Sequence, residues 1–241
     1  MRSESGITSG RSVLITEGHR ETCQGIAAAL QEHGDRVAAT YTDSRPAVPA
    51  LSFPCDVTSP ADVERALTGV EELHGPVEVL VASISLSNDM MLRSADERFV
   101  SVCDNHLIGS FRLIRAALAG MRETGHGRVI FLNTEHPAEL PRRYGASEAA
   151  LNGFISTVVR EEARYGITCN VVTVSAPRRT AWGEPPQGQL RDQQVSAAVL
   201  APMFSPQAQA AAETVKFLAA ESAGTINGAN IPVDRGFRMV S

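Results

Sequence analysis

The chain has 241 residues, of which 43% are hydrophobic and 20% charged, so it has enough apolar material for a full core and is not disordered. Its formal net charge of −5 argues against a dedicated nucleic-acid binder, and no apolar run approaches the roughly 20 residues that a membrane helix needs. The four cysteines are scattered without a C-x-x-C motif, and the first residues lack the apolar stretch of a signal peptide. We therefore expect a cytoplasmic protein without nucleic-acid, membrane or metal binding, with a flexible tail over residues 1–10.

Short apolar runs alternate along the chain with segments of helical periodicity. Strands are predicted at residues 12–16, 36–41, 77–82, 128–132, 168–174 and 229–233, and helices at 25–33, 62–73, 99–121, 144–165 and 206–220. Strands that alternate with helices predict a parallel sheet covered on both faces, whose ligands bind beyond the carboxyl ends of the strands. Residues 177–194 are rich in Pro, Gly, Gln and Arg, and we interpret 177–205 as a mobile lid or substrate loop within one domain.

Several strings, taken in order, carry a family resemblance. They are Cys55-Asp56-Val57-Thr58, Gly75-Pro76-Val77-Glu78-Val79, Asn105, Tyr144 with Glu148, Gly166-Ile167-Thr168-Cys169-Asn170 and Ile226-Asn227-Gly228-Ala229. Over residues 11–240 the chain resembles the short-chain dehydrogenase/reductase family, and within it the 3-oxoacyl-acyl-carrier-protein reductases. The resemblance implies a single α/β domain over residues 11–241, a Rossmann-like doubly wound parallel sheet of about seven strands with helices on both faces.

The resemblance also implies roles for individual positions. Asp56, followed by Val57, corresponds to the aspartate that holds the adenine amino group of the cofactor. Asn105 corresponds to the asparagine that supports a proton relay. Thr134 stands where relatives have a catalytic serine, and its hydroxyl can also donate to a carbonyl oxygen. Tyr144 corresponds to the catalytic tyrosine.

The first turn departs from the family pattern T-G-x-x-x-G-x-G. It reads Thr16-Glu17-Gly18-His19-Arg20-Glu21-Thr22-Cys23, so side chains fill all three glycine positions. Those glycines let the backbone approach a pyrophosphate at a helix N-terminus. Two like charges about 5 Å apart at an effective dielectric constant of about 20 repel by roughly 3 kcal/mol. Glu17 and Glu21 are therefore expected to weaken or abolish dinucleotide binding, with Arg20 offsetting part of the repulsion.

Two other interpretations of this turn stay open. The glutamates can serve only to satisfy the dipole of a self-capped helix start. Alternatively, Gly18 and Gly25 can form a rearranged turn that still binds a dinucleotide, in which case Gly18 and Arg20 are cofactor contacts. We expect no cofactor, and NADPH if there is one.

The catalytic set is altered as well. Glu148 stands one helical turn after Tyr144, where the family has a lysine that holds the nicotinamide ribose and lowers the tyrosine pKa. A carboxylate disfavours phenolate, so we expect the pKa of Tyr144 to stay at or above its reference value of about 10, which makes it a poor proton shuttle near pH 7. Thr134 and Tyr144 are 10 positions apart, a shorter connection than in the reductases. Ser83-Ile84-Ser85 replaces Asn-Ala-Gly, and Val174-Ser175 replaces Pro-Gly, beside the nicotinamide.

These alterations concern the cofactor and catalytic positions, whereas the framework strings remain, and they leave three functions open. The first is a reductase-like protein of fatty-acid or polyketide type metabolism that has lost NAD(P)H-dependent 3-oxoacyl reduction and is a non-catalytic partner subunit. The second is a non-redox dehydratase, isomerase or cyclase acting on an acyl-carrier-bound substrate, with Glu148 as base and Tyr144 and Thr134 as hydrogen-bond donors. The third is an active NADPH-dependent reductase. Expected partners are a homo- or hetero-oligomer, including one with an active ketoreductase, and an acyl carrier protein.

Overall fold

The computed structural model describes residues 10–48, 51–83, 95–135, 143–175 and 204–234, so the predicted tail, except for Gly10, and most of the predicted lid lie outside the described residues. Within these ranges the strands are β1 (Ser12–Ile15), β2 (Arg36–Tyr41), β3 (Leu51–Pro54), β4 (Val79–Ser83), β5 (Gly127–Glu135), β6 (Ile167–Ser175) and β7 (Asn230–Val233). They form one seven-stranded sheet in the order β3-β2-β1-β4-β5-β6-β7, and every neighbouring pair is parallel. The predicted doubly wound parallel sheet is confirmed.

The strand order reverses at β1. Val13 of β1 pairs with Val37 of β2 on one side and with Val79 of β4 on the other. In open parallel sheets of this kind the connections on either side of such a point leave in opposite directions, which opens a crevice at the carboxyl ends of the strands. The carboxyl ends of β1 and β4 therefore mark where a ligand would bind.

Six α-helices lie in the described ranges: α1 (Glu21–Glu32), α2 (Pro60–His74), α3 (Ala95–Val102), α4 (Ser110–Thr124), α5 (Arg143–Glu162) and α6 (Pro206–Ala219). Their ends follow local chemistry. Ser59 precedes α2, and its side chain accepts a hydrogen bond from the N–H of Asp62 while proline occupies the first turn. Gly125 ends α4 with φ +67°, a conformation that glycine adopts without strain.

Two apolar cores cover the two faces of the sheet. One joins strand residues such as Leu14, Leu80 and Phe131 to α2, α4 and α5. The other joins strand residues such as Val13 and Val81 to α1 and α6. The central strands are therefore buried on both faces, as parallel strands require. None of the described helices combines the length and apolar character needed to cross a membrane.

Two predicted helices differ markedly from the structure, and one strand was not predicted. The single helix predicted over 99–121 is interrupted, because a π-helical turn (Cys103–Gly109) separates α3 from α4, and a wider turn leaves no mark in apolar spacing. Helix α1 begins at Glu21 and not at residue 25, since its first turn is polar. The pattern along the chain did not single out β3, which is only 4 residues long and ends in a proline.

Candidate functional site

Thr16 joins the carboxyl ends of the two strands that flank the crevice. Its Oγ1 atom accepts a hydrogen bond from the N–H of Ser83 at 2.7 Å and donates one to the carbonyl oxygen of Ser83 at 2.5 Å. The N–H of Thr16 also donates to the carbonyl oxygen of Val81 at 3.0 Å. The first turn thus starts from a buried hydroxyl that fastens β1 to β4.

Glu17 occupies the first of the three glycine positions with a glycine-like backbone. Its φ is +52°, the one positive φ of a non-glycine residue in the described part of the chain. This conformation disfavours a residue with a side chain by roughly 1–2 kcal/mol. The Glu17 carboxylate lies 2.9 Å from Nε of Arg20, and its carbonyl oxygen accepts from the N–H of Arg20 at 3.0 Å. The turn thus has a left-handed residue at the first glycine position, and an ion pair within the turn holds the side chain of that residue.

The second and third glycine positions also carry engaged side chains. The Oε1 atom of Glu21 accepts a hydrogen bond from the N–H of Ser205 at 2.6 Å. Cys23 is buried and hydrogen-bonded to Ser83, and burial together with the charge of Glu17 raises the pKa of its thiol to about 12. The N-cap residue of α1, Arg20, makes no side-chain cap hydrogen bond, whereas Glu21 places an acidic side chain in the first turn, where it can satisfy the helix dipole.

Gly18 is required by a close approach to β2. Its N–H donates to the carbonyl oxygen of Thr40 at 2.8 Å, and a Cβ at this position would lie 2.6 Å from Cβ of Ala39. Gly25 lies inside α1 and faces Ala208 at the start of α6. The alternative turn built from Gly18 and Gly25 is therefore not formed. The assignment of Gly18 and Arg20 as cofactor contacts stays a prediction.

Asp56 and Val57 follow the end of β3. Asp56 is exposed, and its Oδ1 atom accepts hydrogen bonds from the N–H and the hydroxyl of Thr58 at 2.8 and 2.7 Å. Val57 packs against the π-helical turn, since a Cβ at Gly109 would lie 2.7 Å from its Cγ2 atom. The Asp56 carboxylate is thus held in place at the surface, and its role towards an adenine stays a prediction.

Asn105 and His106 are neighbours in the π-helical turn, but their side chains have different partners. The side-chain amide of Asn105 donates to the carbonyl oxygen of Ser101 at 3.0 Å, back along its own helix. His106 is 3% exposed and points inward, where its Nδ1 atom lies 3.1 Å from Oγ of Ser147 in α5. Burial lowers the pKa of His106 to about 4, so the ring is neutral near pH 7.

Sequence reasoning did not place His106 in the site. A signal was present, because His106 follows Val102 by four residues and precedes Leu113 by seven, and both of these are buried. That spacing puts all three residues on one helical face. A histidine on an otherwise apolar buried face needs a hydrogen-bond partner, and Ser147 supplies it.

The remaining predicted catalytic residues lie on the ends of β5 and α5. Thr134 lies at the carboxyl end of β5, where it pairs with Val174 of β6. Tyr144 is the second residue of α5. The side chains of both lie outside the described part of the chain, so their mutual geometry stays a prediction. Glu148 is half-buried one helical turn after Tyr144. Across the described ranges, no group of three or more His, Cys, Asp or Glu side chains is placed to hold a metal ion.

Comparison with known proteins agrees with this fold. Residues 22–238 match the family model described as Enoyl-(Acyl carrier protein) reductase. The 3-oxoacyl-[acyl-carrier-protein] reductase MabA of Mycobacterium avium is 35% identical over 236 residues, covering 95% of this chain and 90% of the relative. The chain belongs to the short-chain dehydrogenase/reductase family. The FabG reductase of Escherichia coli is 29% identical over 246 residues, covering 96% of this chain and 98% of the relative.

A solved structure supports the fold of this short-chain dehydrogenase/reductase chain. A putative 3-oxoacyl-reductase from Bacillus thuringiensis superposes with a TM-score of 0.72 at 20% sequence identity, covering 96% of this chain and all of the other. At this identity the likeness concerns the fold alone. The chain is thus 3-oxoacyl-reductase-like in sequence and Rossmann-like in architecture.

The first turn of this family member does not fit the diphosphate of a dinucleotide. Glycines at these positions leave backbone N–H groups open to a phosphate. Here the carboxylate of Glu17 is held within the turn by Arg20, Glu21 adds a second acidic side chain, and the third glycine position carries the buried side chain of Cys23. Arg20, the one cation of this turn, is already paired.

Proposed function

We propose that this chain is a reductase-like protein of fatty-acid or polyketide type metabolism that has lost NAD(P)H-dependent 3-oxoacyl reduction and works as a non-catalytic partner subunit. The observation that carries the proposal is the conformation of Glu17, a left-handed residue whose carboxylate is paired with Arg20 at the point where a diphosphate would be bound. Binding a dianion there requires breaking this pair and then placing the ligand against a carboxylate.

The charges of the turn support the loss of binding. Each carboxylate within about 5 Å of a phosphate opposes binding by roughly 3 kcal/mol at an effective dielectric constant of about 20, which is on the order of a hundredfold in affinity. Arg20 offsets this repulsion only by giving up its ion pair with Glu17, whose carboxylate remains next to the ligand. The net change for an incoming diphosphate is therefore unfavourable.

The position of Glu148 supports the loss of reductase chemistry. It stands one turn after Tyr144 on α5, where a lysine would stabilise a phenolate and bind the nicotinamide ribose. A carboxylate at this place favours the neutral phenol and repels anionic groups. Proton transfer to a reduced ketone thus lacks both the cofactor and a tuned acid.

The partner role is supported by an apolar surface on the helices after β4. Phe99 and Val100 of α3, Ile108 of the π-helical turn and Phe111 of α4 are exposed large apolar side chains. Phe111 meets Phe154 of α5 edge-on at 5.4 Å, which extends the surface onto a second helix. We propose that this surface, the α3–α4 face, binds a second subunit, either another copy or an active ketoreductase. An acyl carrier protein is a further candidate partner.

A calorimetric titration tests the proposal. Purified protein is titrated with NADPH and, separately, with NADH to millimolar concentration, and the reduction of a 3-oxoacyl thioester is followed by NADPH absorbance in parallel. We expect no binding heat and no turnover. Micromolar binding together with turnover would refute the proposal and establish an active reductase, the activity that the names of its relatives suggest.

A second function is supported by Glu148 itself. A half-buried carboxylate one turn from a tyrosine is a suitable general base for dehydration, isomerisation or cyclisation of an acyl-carrier-bound substrate, with Tyr144 and Thr134 as hydrogen-bond donors. An enzyme of this kind would need no dinucleotide. Turnover of such thioesters without NADPH, abolished by Glu148→Gln, would favour it over the partner role.

A further inference from the structure

Glu21 stands at the second filled glycine position and is tied to a distant part of the chain. Its Oε1 atom accepts from the N–H of Ser205, which lies 184 positions further along, at 2.6 Å. Ser205 is the N-cap of α6, and its Oγ atom accepts from the N–H of Ala208 at 3.3 Å. The carboxylate therefore joins the first turn of α1 to the first turn of α6.

The two helix starts are already in contact behind this hydrogen bond. A Cβ at Gly25 would lie 3.5 Å from the carbonyl oxygen of Ala208 and 3.5 Å from the ring of Phe204. With the helices packed at this distance, the orientation of their first turns depends on the polar groups at their ends. A hydrogen bond from a backbone N–H to a carboxylate is about twice as strong as a neutral one. Glu21 is thus the polar group that links the first turn of α1 to the N-cap of α6.

We infer that Glu21 is a positioning residue, which through Ser205 holds the first turn of α1 against α6 and keeps that turn closed to a diphosphate. The inference rests on the proposed function, because it takes the first turn to exclude a dinucleotide. Glu17 and Glu21 act by different means. Glu17 occupies the turn and takes up Arg20, whereas Glu21 acts through a residue of another helix. Removing Glu17 alone leaves the turn closed from the α6 side.

Calorimetric titration with NADPH distinguishes the effect of Glu17 within the turn from the effect of Glu21 through Ser205. Five proteins are compared. They are the wild type, the single variant Glu17→Gly, and three double variants in which Glu17→Gly is combined with Glu21→Ala, with Glu21→Gln or with Glu32→Gln. Alanine and glutamine remove the same charge at position 21, but only glutamine keeps an oxygen that accepts from Ser205. We expect no binding by the wild type and at least about tenfold tighter binding with Glu21→Ala than with Glu21→Gln. The exposed Glu32 of α1 controls for net charge, and its variant should bind like Glu17→Gly alone.

The outcomes distinguish this inference from the proposed function. Micromolar binding of NADPH by the wild type would overturn both. Equal affinities of the Glu21→Ala and Glu21→Gln double variants would overturn the inference and leave the proposed function standing. If every variant has the melting temperature of the wild type and none binds NADPH, the inference is likewise overturned and the proposed function stands.

A second measurement needs no ligand. Amide hydrogen exchange of Ser205 is compared in the wild type, Glu21→Ala and Glu21→Gln. Loss of the acceptor should speed exchange at this amide at least about fivefold in Glu21→Ala, with Glu21→Gln close to the wild type. Unchanged exchange in Glu21→Ala would show that Glu21 does not hold the start of α6, and would overturn the inference.

Discussion

The Nδ1 atom of His106 lies 3.1 Å from the Oγ atom of Ser147, and this contact joins the π-helical turn to α5. On its other side the imidazole meets the ring of Phe131 in β5 edge-on, with 5.8 Å between ring centroids. The three elements that carry the predicted catalytic residues thus meet at one buried, neutral histidine. We therefore expect the core beneath the candidate site to be sensitive to acid.

Stability should fall as the pH drops from about 6.5 to about 4 because of His106. Burial lowers the pKa of His106 from 6.5 to about 4 in the folded chain. Between these values the unfolded chain binds a proton that the folded chain does not, so the free energy of unfolding decreases with falling pH, by roughly 2–3 kcal/mol over the window. Above pH 6.5 this contribution is fully present.

Urea unfolding across this pH window measures the effect. His106→Gln has no group that titrates at this position, so its unfolding free energy should depend less on pH than that of the wild type. The two curves should run parallel above about pH 7 and diverge below. Curves that stay parallel down to about pH 4.5 would show that His106 does not stay neutral in the fold.

Breaking the ion pair between α4 and α5 should destabilise the fold strongly. Arg122 donates through Nε to Glu162 at 2.7 Å and makes a second contact through Nη2, and the Glu162 side chain is only 3% exposed. Arg122→Met leaves a buried carboxylate without its cation, which costs roughly 3 kcal/mol. Arg65→Met is the matched control, because its pair with Asp62 lies at the surface and its loss should change the free energy of unfolding much less. Chemical denaturation of both variants measures the difference, and equal losses would contradict this account.

Adding a methyl group to the first turn should lower the stability of the fold, whereas adding one to α5 should not. In Gly18→Ala the new Cβ would lie 2.6 Å from Cβ of Ala39, so β2 must shift, at a cost of roughly 1–3 kcal/mol. Gly153 lies within α5, where no atom of the described residues comes within 4 Å of a Cβ, and Gly153→Ala should stabilise the fold by up to about 1 kcal/mol through helix propensity. Thermal melts should therefore move in opposite directions, and a stable Gly18→Ala would argue against close packing at this turn.

The α3–α4 face should be needed for assembly. Phe111 is 42% exposed and lies over Phe154, with the Arg115 guanidinium 5.8 Å from its ring centroid. Phe111→Glu places a charge within the apolar surface and should weaken assembly by at least about tenfold in dissociation constant. Leu73→Glu on α2 is the control, since Leu73 is 64% exposed and belongs to none of the helices that form this face. Analytical ultracentrifugation measures both, and equal assembly of the two variants would place the interface elsewhere.

Local pattern was sufficient for most of the fold. The apolar runs predicted six of the seven strands, because strands buried on both faces are largely apolar, as residues 79–82 of β4 are. The pattern did not single out Leu51–Pro54, a short strand at the edge of the sheet, since a strand there is only partly buried and its sequence is less constrained. The π-helical turn was missed for another reason, because the buried residues Val102, His106 and Leu113 have spacings that an unbroken α-helix also shows.

By itself the sequence determined the family, the doubly wound parallel sheet and the fact that side chains fill the glycine positions of the first turn. These are properties of residue type and order, so they can be seen without coordinates. Only the tertiary structure decided what those side chains do. Glu17 pairs with Arg20 three residues away, but Glu21 binds Ser205, 184 positions along the chain, and His106 turns towards Ser147 on another helix. The partner of a polar side chain depends on which distant segments packing brings within about 3 Å, and local periodicity carries no information about that distance.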